Sequence, residues 1–441
     1  MGLWLLGSLA WQVVGATADW PQWRGPTRDG VLPDAGPWPS SLQEGELVRR
    51  WRVPMGPSYS GPLLVGDRVY TTESKDQSHE VVLALDRQEG RELWRASWEG
   101  HVKVPFFAKS NGDWIRATPA YSQGKLYVGG MRDVLVCLDA ASGRELWRLD
   151  FPRELKSAVP SFGLVSSPCV VGDAVYVQAG GGFARVEAAT GKLVWRTLED
   201  GGGMWGSAFS SPVLATLQGE EQFLVQTRDK LAGVKRTDGS VLWTQSIKAF
   251  RGMNILTPVV LGDRVLTASY GGQTQGWSLS GEEGARRLKE EWALKVEGYM
   301  TSPVLVDGYA YFLSRAQRFL CVEVATGRKA WESEQKFGKY LSLVARGKQL
   351  LALDERGILF LFAADPARFG VLAERKIADS ETWAHLAISG NDLAIRELDG
   401  LSLWRWGAAE HADHSVPAPA IAMATFADPG LGTAAKSPTE K

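Results

Sequence analysis

The chain has 441 residues, 44% of them hydrophobic and 22% charged, a balance typical of an ordinary soluble globular protein. Its 49 lysines and arginines nearly offset 50 aspartates and glutamates, so no general attraction to nucleic acid or to an anionic membrane surface is expected. Three cysteines without a C-x-x-C spacing and five scattered histidines give no haem attachment motif and no predicted metal site.

The first 18 residues are apolar and end in Ala16-Thr17-Ala18. This pattern predicts a signal peptide over residues 1–18, cleaved before Asp19, and a soluble protein that is periplasmic or secreted. No cysteine stands near the cleavage point, so a lipid anchor is not expected. No later stretch is apolar for about 20 residues, and no membrane span is predicted. Residues 19–45 form a lead-in segment before the first predicted strand.

Six segments between residues 83 and 331 end in the same kind of phrase, for example LALDRQEGRELW (83–94) and VCLDAASGRELW (136–147). In five of them a glycine stands four residues before the tryptophan, as Gly143 does before Trp147. Apolar runs on both sides of the glycine predict a β-hairpin with a left-handed residue at its exit. The acid four residues before the glycine, such as Asp139, is interpreted as a turn former. The repeated tryptophan is interpreted as a wedge between adjacent units.

Each unit also begins alike, with a small residue, a proline and an apolar run, as in SPCVVGD (167–173) and TPVVLGD (257–263). A unit therefore has four antiparallel strands, which is the blade of a β-propeller. The segment Thr382–Trp406 supplies only three strands, and the run Glu46–Val53 is predicted to complete that blade and close the ring. The sequence thus predicts an all-β fold, an eight-bladed propeller over residues 46–406, with seven blades as the alternative. Residues 407–441 are rich in alanine and proline and are predicted to be a disordered tail.

The repeat LDAASGRELW resembles that of quinoprotein propellers, which bind pyrroloquinoline quinone (PQQ). The segment DWPQWRGPTRDG (19–30) is similar to the lead-in of secreted bacterial members. The resemblance covers residues 19–406 and implies one of two functions. One group comprises PQQ-dependent dehydrogenases, and the other comprises non-enzymatic proteins such as the outer-membrane barrel-assembly propellers. The chain lacks the adjacent cysteine pair of the first group and the N-terminal lipid-bearing cysteine of the second.

The connections between blades are expected to gather around the mouth of the central channel. A quinone needs a stacking surface, cations for its carboxylates and a divalent cation held by oxygen atoms. Under the dehydrogenase alternative, the residues that would bind PQQ and Ca²⁺ are Arg116, Trp205, Asn254 and Lys339, with Glu297 as a second oxygen donor. No general base for alcohol oxidation is identifiable, and the same residues are also explained as loop packing.

The connection over residues 99–117 is longer than the others and carries Phe106, Phe107 and Trp114. Long ordered loops are usually functional, and exposed aromatic residues suit partner contact. Tyr299, Tyr340 and Trp383 of other connections join them as candidate partner-binding residues. Packing of the three loop aromatics over the ring is the equally weighted alternative.

These features favour an exported, monomeric propeller that binds protein or peptide partners in the cell envelope, as in outer-membrane assembly. That interpretation needs no cofactor. The alternative is a PQQ-dependent alcohol or sugar dehydrogenase. A binder of polysaccharide is not separable from a binder of protein by sequence.

Overall fold

A computed structural model describes residues 19–200, 203, 206, 208–282, 284–407 and 414–415 of the chain. The predicted signal peptide, Trp205 and all of the predicted tail beyond residue 407 except 414–415 lie outside the described residues.

The chain folds into eight sheets of four antiparallel strands, here called blades 1 to 8. Because each blade is built mainly from consecutive strands, the sheets follow one another along the chain. The strands of blades 1 to 4 are Leu63–Val65, Arg68–Lys75, His79–Asp86 and Glu92–Glu99; Ala120–Ser122, Lys125–Gly130, Val134–Asp139 and Glu145–Asp150; Cys169–Val171, Ala174–Gln178, Phe183–Glu187 and Leu193–Thr197; and Val213–Leu217, Glu220–Gln226, Lys230–Lys235 and Val241–Ser246.

Blades 5 to 8 follow the same plan, with the last blade completed from the start of the chain. Their strands are Val259–Leu261, Arg264–Ala268, Thr274–Ser280 and Arg287–Leu294; Val304–Val306, Tyr309–Leu313, Arg318–Glu323 and Lys329–Lys336; Leu341–Arg346, Gln349–Asp354, Ile358–Ala363 and Val371–Lys376; and Ala387–Ser389, Asp392–Glu397, Gly400–Trp406 and Leu47–Pro54. Two short additions are Val31–Leu32, parallel to the first strand of blade 7, and His414–Ser415, parallel to Leu47–Pro54. The helices of the described ranges are α-helix Phe151–Leu155 and the 3-10 helices Phe106–Asn111 and Phe250–Gly252.

Ring closure depends on the strand Leu47–Pro54. It pairs antiparallel with Gly400–Trp406, from Leu47 opposite Trp406 to Pro54 opposite Gly400. The pairing confirms the eight-bladed prediction, and the seven-bladed alternative is not favoured. It joins the two ends of the propeller by backbone hydrogen bonds, so the seam between its first and last parts lies inside a sheet.

At five junctions a tryptophan packs on a glycine of the next blade. A Cβ at Gly143 would stand 2.4 Å from the ring of Trp94, and the indole Nε1 of Trp94 donates to the Ala140 carbonyl at 3.1 Å. The same ring-on-glycine contact recurs in four further pairs: Trp51 with Gly90, Trp147 with Gly191, Trp195 with Gly239, and Trp292 with Gly327. The predicted wedge is confirmed. Glycine is favoured at position 143 for two reasons. The backbone there has a positive φ of 75°, and the absence of a side chain leaves room for the neighbouring indole.

The small residue before each proline links neighbouring blades at the channel. The Ser167 hydroxyl accepts a hydrogen bond from the Thr118 amide at 3.0 Å, and the Ser167 amide donates to the Ser211 hydroxyl at 3.0 Å. The chain of bonds continues from Ser211 to Thr257 and from Thr257 to Ser302. These hydroxyls satisfy backbone amides that have no strand partner at the inner ends of the blades.

Blade 7 lacks the tryptophan on its outer strand, and the lead-in segment compensates. Leu42 is buried in the same cluster as Trp404 and Trp406 of blade 8, and Trp38 lies 6.3 Å from the Trp406 ring. Arg375 of blade 7 donates to the Leu42 and Leu47 carbonyls at 3.2 and 2.7 Å. Residues 38–47 therefore fill the gap between the two degenerate blades.

We predict that Gly143→Ala destabilises the fold more than Gly124→Ala. Both glycines have a φ of 75°, so both variants carry the left-handed penalty of about 1–2 kcal/mol. A Cβ at Gly124 meets nothing within 4 Å, whereas at Gly143 it meets the Trp94 ring, which adds about 1–3 kcal/mol. Urea unfolding of both variants measures the difference, and equal losses would contradict the wedge.

Candidate functional site

The lead-in segment occupies the central channel. Trp20 forms an antiparallel bridge with Leu64 of blade 1, and the Pro21 carbonyl accepts from the Tyr121 amide of blade 2 at 2.7 Å. The segment then turns back, and Val31–Leu32 pairs with Ala345 and Arg346 of blade 7. Residues 20–32 thus cover inner-strand edges on separate sides of the ring.

Residues 20–32 are here called the channel hairpin, because the chain turns back where the Gly30 amide bonds to the Arg24 carbonyl. Two arginines hold this segment to the inner ends of the blades. Arg28 donates to the Ser167, Pro168 and Pro212 carbonyls at 3.1, 2.8 and 3.2 Å. Arg24 donates to the Pro303 carbonyl and, at 2.6 Å, to that of Asp29. Innermost strands present unpaired carbonyls, and a guanidinium offers five donors in a fixed fork. Burial lowers the pKa of Arg24 to about 10, so the guanidinium remains charged at neutral pH.

An imidazole packs beside the arginines. His385, in the connection from blade 7 to blade 8, is stacked on Trp20 at 6.1 Å and contacts the edge of Trp23 at 6.3 Å. Burial, with the nearby Arg24 charge, lowers the pKa of His385 to about 3. The neutral ring belongs to the packing of the channel hairpin.

The connections between blades and the turns between second and third strands share one side of the ring, here called the connection face. Four predicted site residues meet there. The Tyr59 ring lies 5.2 Å from Trp114 and 6.1 Å from Trp383, and the Arg116 guanidinium lies 5.2 Å from the Tyr59 centroid. Trp383 in turn stacks on Tyr340 at 6.3 Å. Burial raises the pKa of Tyr59 to about 12, so its hydroxyl stays protonated at neutral pH.

A second aromatic group contains Tyr299. Its ring lies 5.0 Å from Tyr270, which lies 5.2 Å from Phe250. Arg315 covers Tyr270 at 4.4 Å and pairs with Glu297 at 3.3 Å. Tyr299 therefore lies apart from the Tyr59 group, with its own cation.

The long connection divides its aromatic residues between packing and exposure. Trp114 packs against Tyr59, whereas Phe106 and Phe107 are 90% and 54% exposed. Phe107 makes edge contacts with Phe106 at 5.6 Å and with Phe162 at 6.3 Å. The loop is anchored below them by Ala108, which is buried with Val104 and Met131.

The described residues among those predicted for a quinone and its cation lie in separate connections. Arg116 donates to the Gly112 carbonyl at 2.6 Å, and Asn254 is buried and donates to the Thr227 and Arg228 carbonyls at 3.1 Å. Lys339 lies in a third connection, where its amide donates to Glu355 at 2.8 Å. In the described part of the chain, no hydrogen bond joins Arg116, Asn254 and Lys339, and no three acids, histidines or cysteines are placed to hold a metal ion. Trp205, the predicted stacking surface, lies outside the described residues, so the quinone site stays a prediction.

Sequence reasoning missed the channel hairpin. Residues 19–30 were recognised as a family lead-in, but nothing placed Arg24, Arg28 and His385 in the channel. One signal in the sequence was available. The segment 19–30 carries two arginines among tryptophan, proline and glycine residues, and arginines buried in such a segment need hydrogen-bond acceptors. In the described ranges, no helix is long and apolar enough to cross a membrane.

The fold and the repeats define a β-propeller of the PQQ-repeat class. A family model described as "Outer membrane protein assembly factor BamB" matches residues 78–333, more than half of the chain. The chain belongs to that family.

Individual relatives and solved structures support this assignment, although their sequence identity to the chain is low. The outer membrane protein assembly factor BamB of Shewanella oneidensis is 24% identical over 276 residues, which are 59% of this chain and 63% of that protein. The chain thus spans less than two thirds of that relative. The crystal structure of BamB from Moraxella catarrhalis matches with a TM-score of 0.59 at 15% identity, covering 83% of this chain and 99% of that one, which shows the fold. The quinohemoprotein alcohol dehydrogenase ADH IIB of Pseudomonas putida is 30% identical over 142 residues, 31% of this chain and 19% of that protein.

We predict that Arg28→Ala lowers the free energy of unfolding by about 2–5 kcal/mol, because three buried carbonyls lose a charged donor. The control is Arg153→Ala, whose side chain is 70% exposed, and which should stay within about 0.5 kcal/mol of the wild type. Urea denaturation of both variants measures the effect. Equal, small losses would show that the hairpin does not hold the ring.

We further predict an acid-dependent loss of stability from His385. Its pKa is about 3 when folded against 6.5 as the ordinary value, so the unfolded chain binds the proton first. The contribution is present above pH 6.5 and is lost as the pH falls towards 3, by about 2 kcal/mol between pH 7 and pH 5. His385→Phe should flatten that part of the profile in urea unfolding at several pH values. A variant with the slope of the wild type would refute the assignment.

Proposed function

We propose that this protein is a non-enzymatic scaffold that binds protein partners of outer-membrane assembly in the cell envelope. Family membership supports the general role, and the assembly factors BamB among its relatives support the process. The observation that carries the proposal is the exposed pair Phe106 and Phe107 on the connection face.

This pair has the properties of an interface anchor. Aromatic residues are enriched among residues that dominate binding energy, and their rings lose little conformational freedom on binding. Phe106 is 90% exposed although its loop is fixed by the buried Ala108 and Met131. An anchored loop presents the two rings in one place, so less ordering is needed when a partner binds.

The filled channel limits where a partner can bind. Arg24, Arg28 and their carbonyl partners already satisfy the inner edges of several blades. Among the described residues, the connection face with the 99–117 loop combines exposed aromatic residues with cations. The predicted export signal at residues 1–18, solubility and a monomeric state belong to the same proposal.

The test uses Phe106→Ser with Phe107→Ser in a strain that lacks the wild-type protein. We expect the wild type to restore the level of folded outer-membrane barrels, and the double variant to restore at most a tenth of that recovery. The control is Leu372→Ser, because Leu372 is 52% exposed but lies on the outer strand of blade 7.

A photo-crosslinking residue at position 107 identifies the partner directly. Capture of an outer-membrane assembly component at position 107, but not at position 372, supports the proposal. Full recovery by the double variant would overturn the role of the two phenylalanines. Unchanged barrel levels in the deletion strain would overturn the process itself.

The dehydrogenase alternative rests on the partial match to the Pseudomonas alcohol dehydrogenase. Its candidate residues lie in separate connections, so we expect added PQQ with Ca²⁺ to produce no alcohol or sugar oxidation. Turnover with a PQQ-dependent dye assay would restore that alternative.

A further inference from the structure

A cavity of about 250 Å³ opens at the base of the long connection. It lies between the turn 76–78 of blade 1 and residues 100–114, so it belongs to the connection face. The side chains important for recognition are Asp76, His79, Glu80, His101, Asp113 and Trp114. Its volume is below the roughly 300–1,000 Å³ of pockets for drug-sized molecules, which suits one side chain better than a whole cofactor.

Carboxyl groups line the cavity, and no lysine or arginine does among the described residues. The acidic residues are Asp76, Glu80 and Asp113. The two oxygens of Glu80 accept from the Met131 amide at 2.6 Å and from Trp98 Nε1 at 2.7 Å. Burial raises the pKa of Glu80 to about 7, so the negative charge of the cavity comes mainly from the two aspartates.

The carboxylates of the other two acids, Asp76 and Asp113, are partly or fully exposed. Asp113 approaches His101 Nε2 at 3.5 Å, beyond a normal hydrogen bond, and both side chains stay 25% exposed. Asp76 is exposed at the tip of the neighbouring turn. Both aspartates are accessible to an incoming cation, although the Arg116 charge lies within electrostatic reach of Asp113.

One wall of the cavity is aromatic. Trp114 lines it and is held by an edge contact with Tyr59 at 5.2 Å. A cation over an indole face gains about 0.5–2 kcal/mol, depending on how far it is desolvated. Carboxylates with a fixed indole form a site for a guanidinium or ammonium group.

We propose that this cavity binds one arginine or lysine side chain of the protein partner. The proposal rests on the proposed scaffold function and names the chemistry of the partner. Met131 lines the cavity and also packs with Val104 and Ala108 under the exposed phenylalanines. The cavity and the aromatic pair are parts of one surface, so the partner segment carries a basic residue next to apolar ones.

The test uses small probes, so it does not depend on a partner. Saturation-transfer NMR is recorded on the full protein with N-acetyl-arginine amide, N-acetyl-lysine amide and the neutral isostere N-acetyl-citrulline amide. We expect at least a threefold larger transfer to the two cationic probes than to citrulline. Asp113→Asn and Asp76→Asn should each reduce the arginine signal to the citrulline level. Position 76 has a left-handed φ of 53°, which asparagine tolerates, so this second variant keeps the turn.

The matched control is Glu334→Gln, which removes one exposed carboxylate from the outer strand of blade 6 and should leave the transfer unchanged. Equal transfer to arginine and citrulline, or an arginine signal that survives both aspartate variants, would overturn the cavity proposal. A positive probe result with normal barrel assembly in the deletion strain would leave the cation site standing and remove only the assembly function.

Discussion

The unpaired inner edges of the blades are the constraint on which the rest of this molecule depends. A ring of eight sheets leaves eight rows of backbone groups facing the channel, and buried groups of this kind have to be satisfied. The chain uses its own residues 20–32 for this purpose, with Arg28 reaching carbonyls of blades 3 and 4 and Arg24 that of Pro303 in blade 6. Because the channel is filled in this way, recognition is left to the connection face.

In the contacts between blades, too, a single residue serves two purposes. An indole from one blade rests on a glycine of the next and donates to a turn carbonyl, so one residue contributes both apolar burial and a hydrogen bond. Where the repeat loses its tryptophan, at blade 7, the lead-in residues Trp38 and Leu42 supply the missing apolar surface. Residues 20–54 thus fill the channel, cover the junction between blades 7 and 8, and close the ring.

The fold was predictable because its signal is periodic and local. The Gly-x-x-x-Trp spacing gave the hairpins, and the three-stranded remainder at 382–406 required a partner strand, which is Leu47–Pro54 where Glu46–Val53 was predicted. The channel hairpin was not predictable, since Arg24 and Arg28 bond to residues 139 to 279 positions away in a segment with no repeat. Site residues were only partly predictable. The sequence treated Phe106 and Trp114 alike because both are aromatic, but in the structure Phe106 is exposed and Trp114 is packed. Asn254 is buried, and its side chain donates to backbone carbonyls.

The seam between Leu47–Pro54 and Gly400–Trp406 has a consequence for biosynthesis. The first blade strand to be translated cannot pair until the last one has been made, because its hydrogen-bonding partners follow about 350 residues later, a contact of very long range in sequence. Until then its apolar face, which includes the fully buried Trp51, has no sheet to join. A chain that ends before residue 400 leaves this strand unpaired and its apolar face exposed. Holdases and proteases can bind such an exposed strand, so incomplete chains are distinguishable from complete ones.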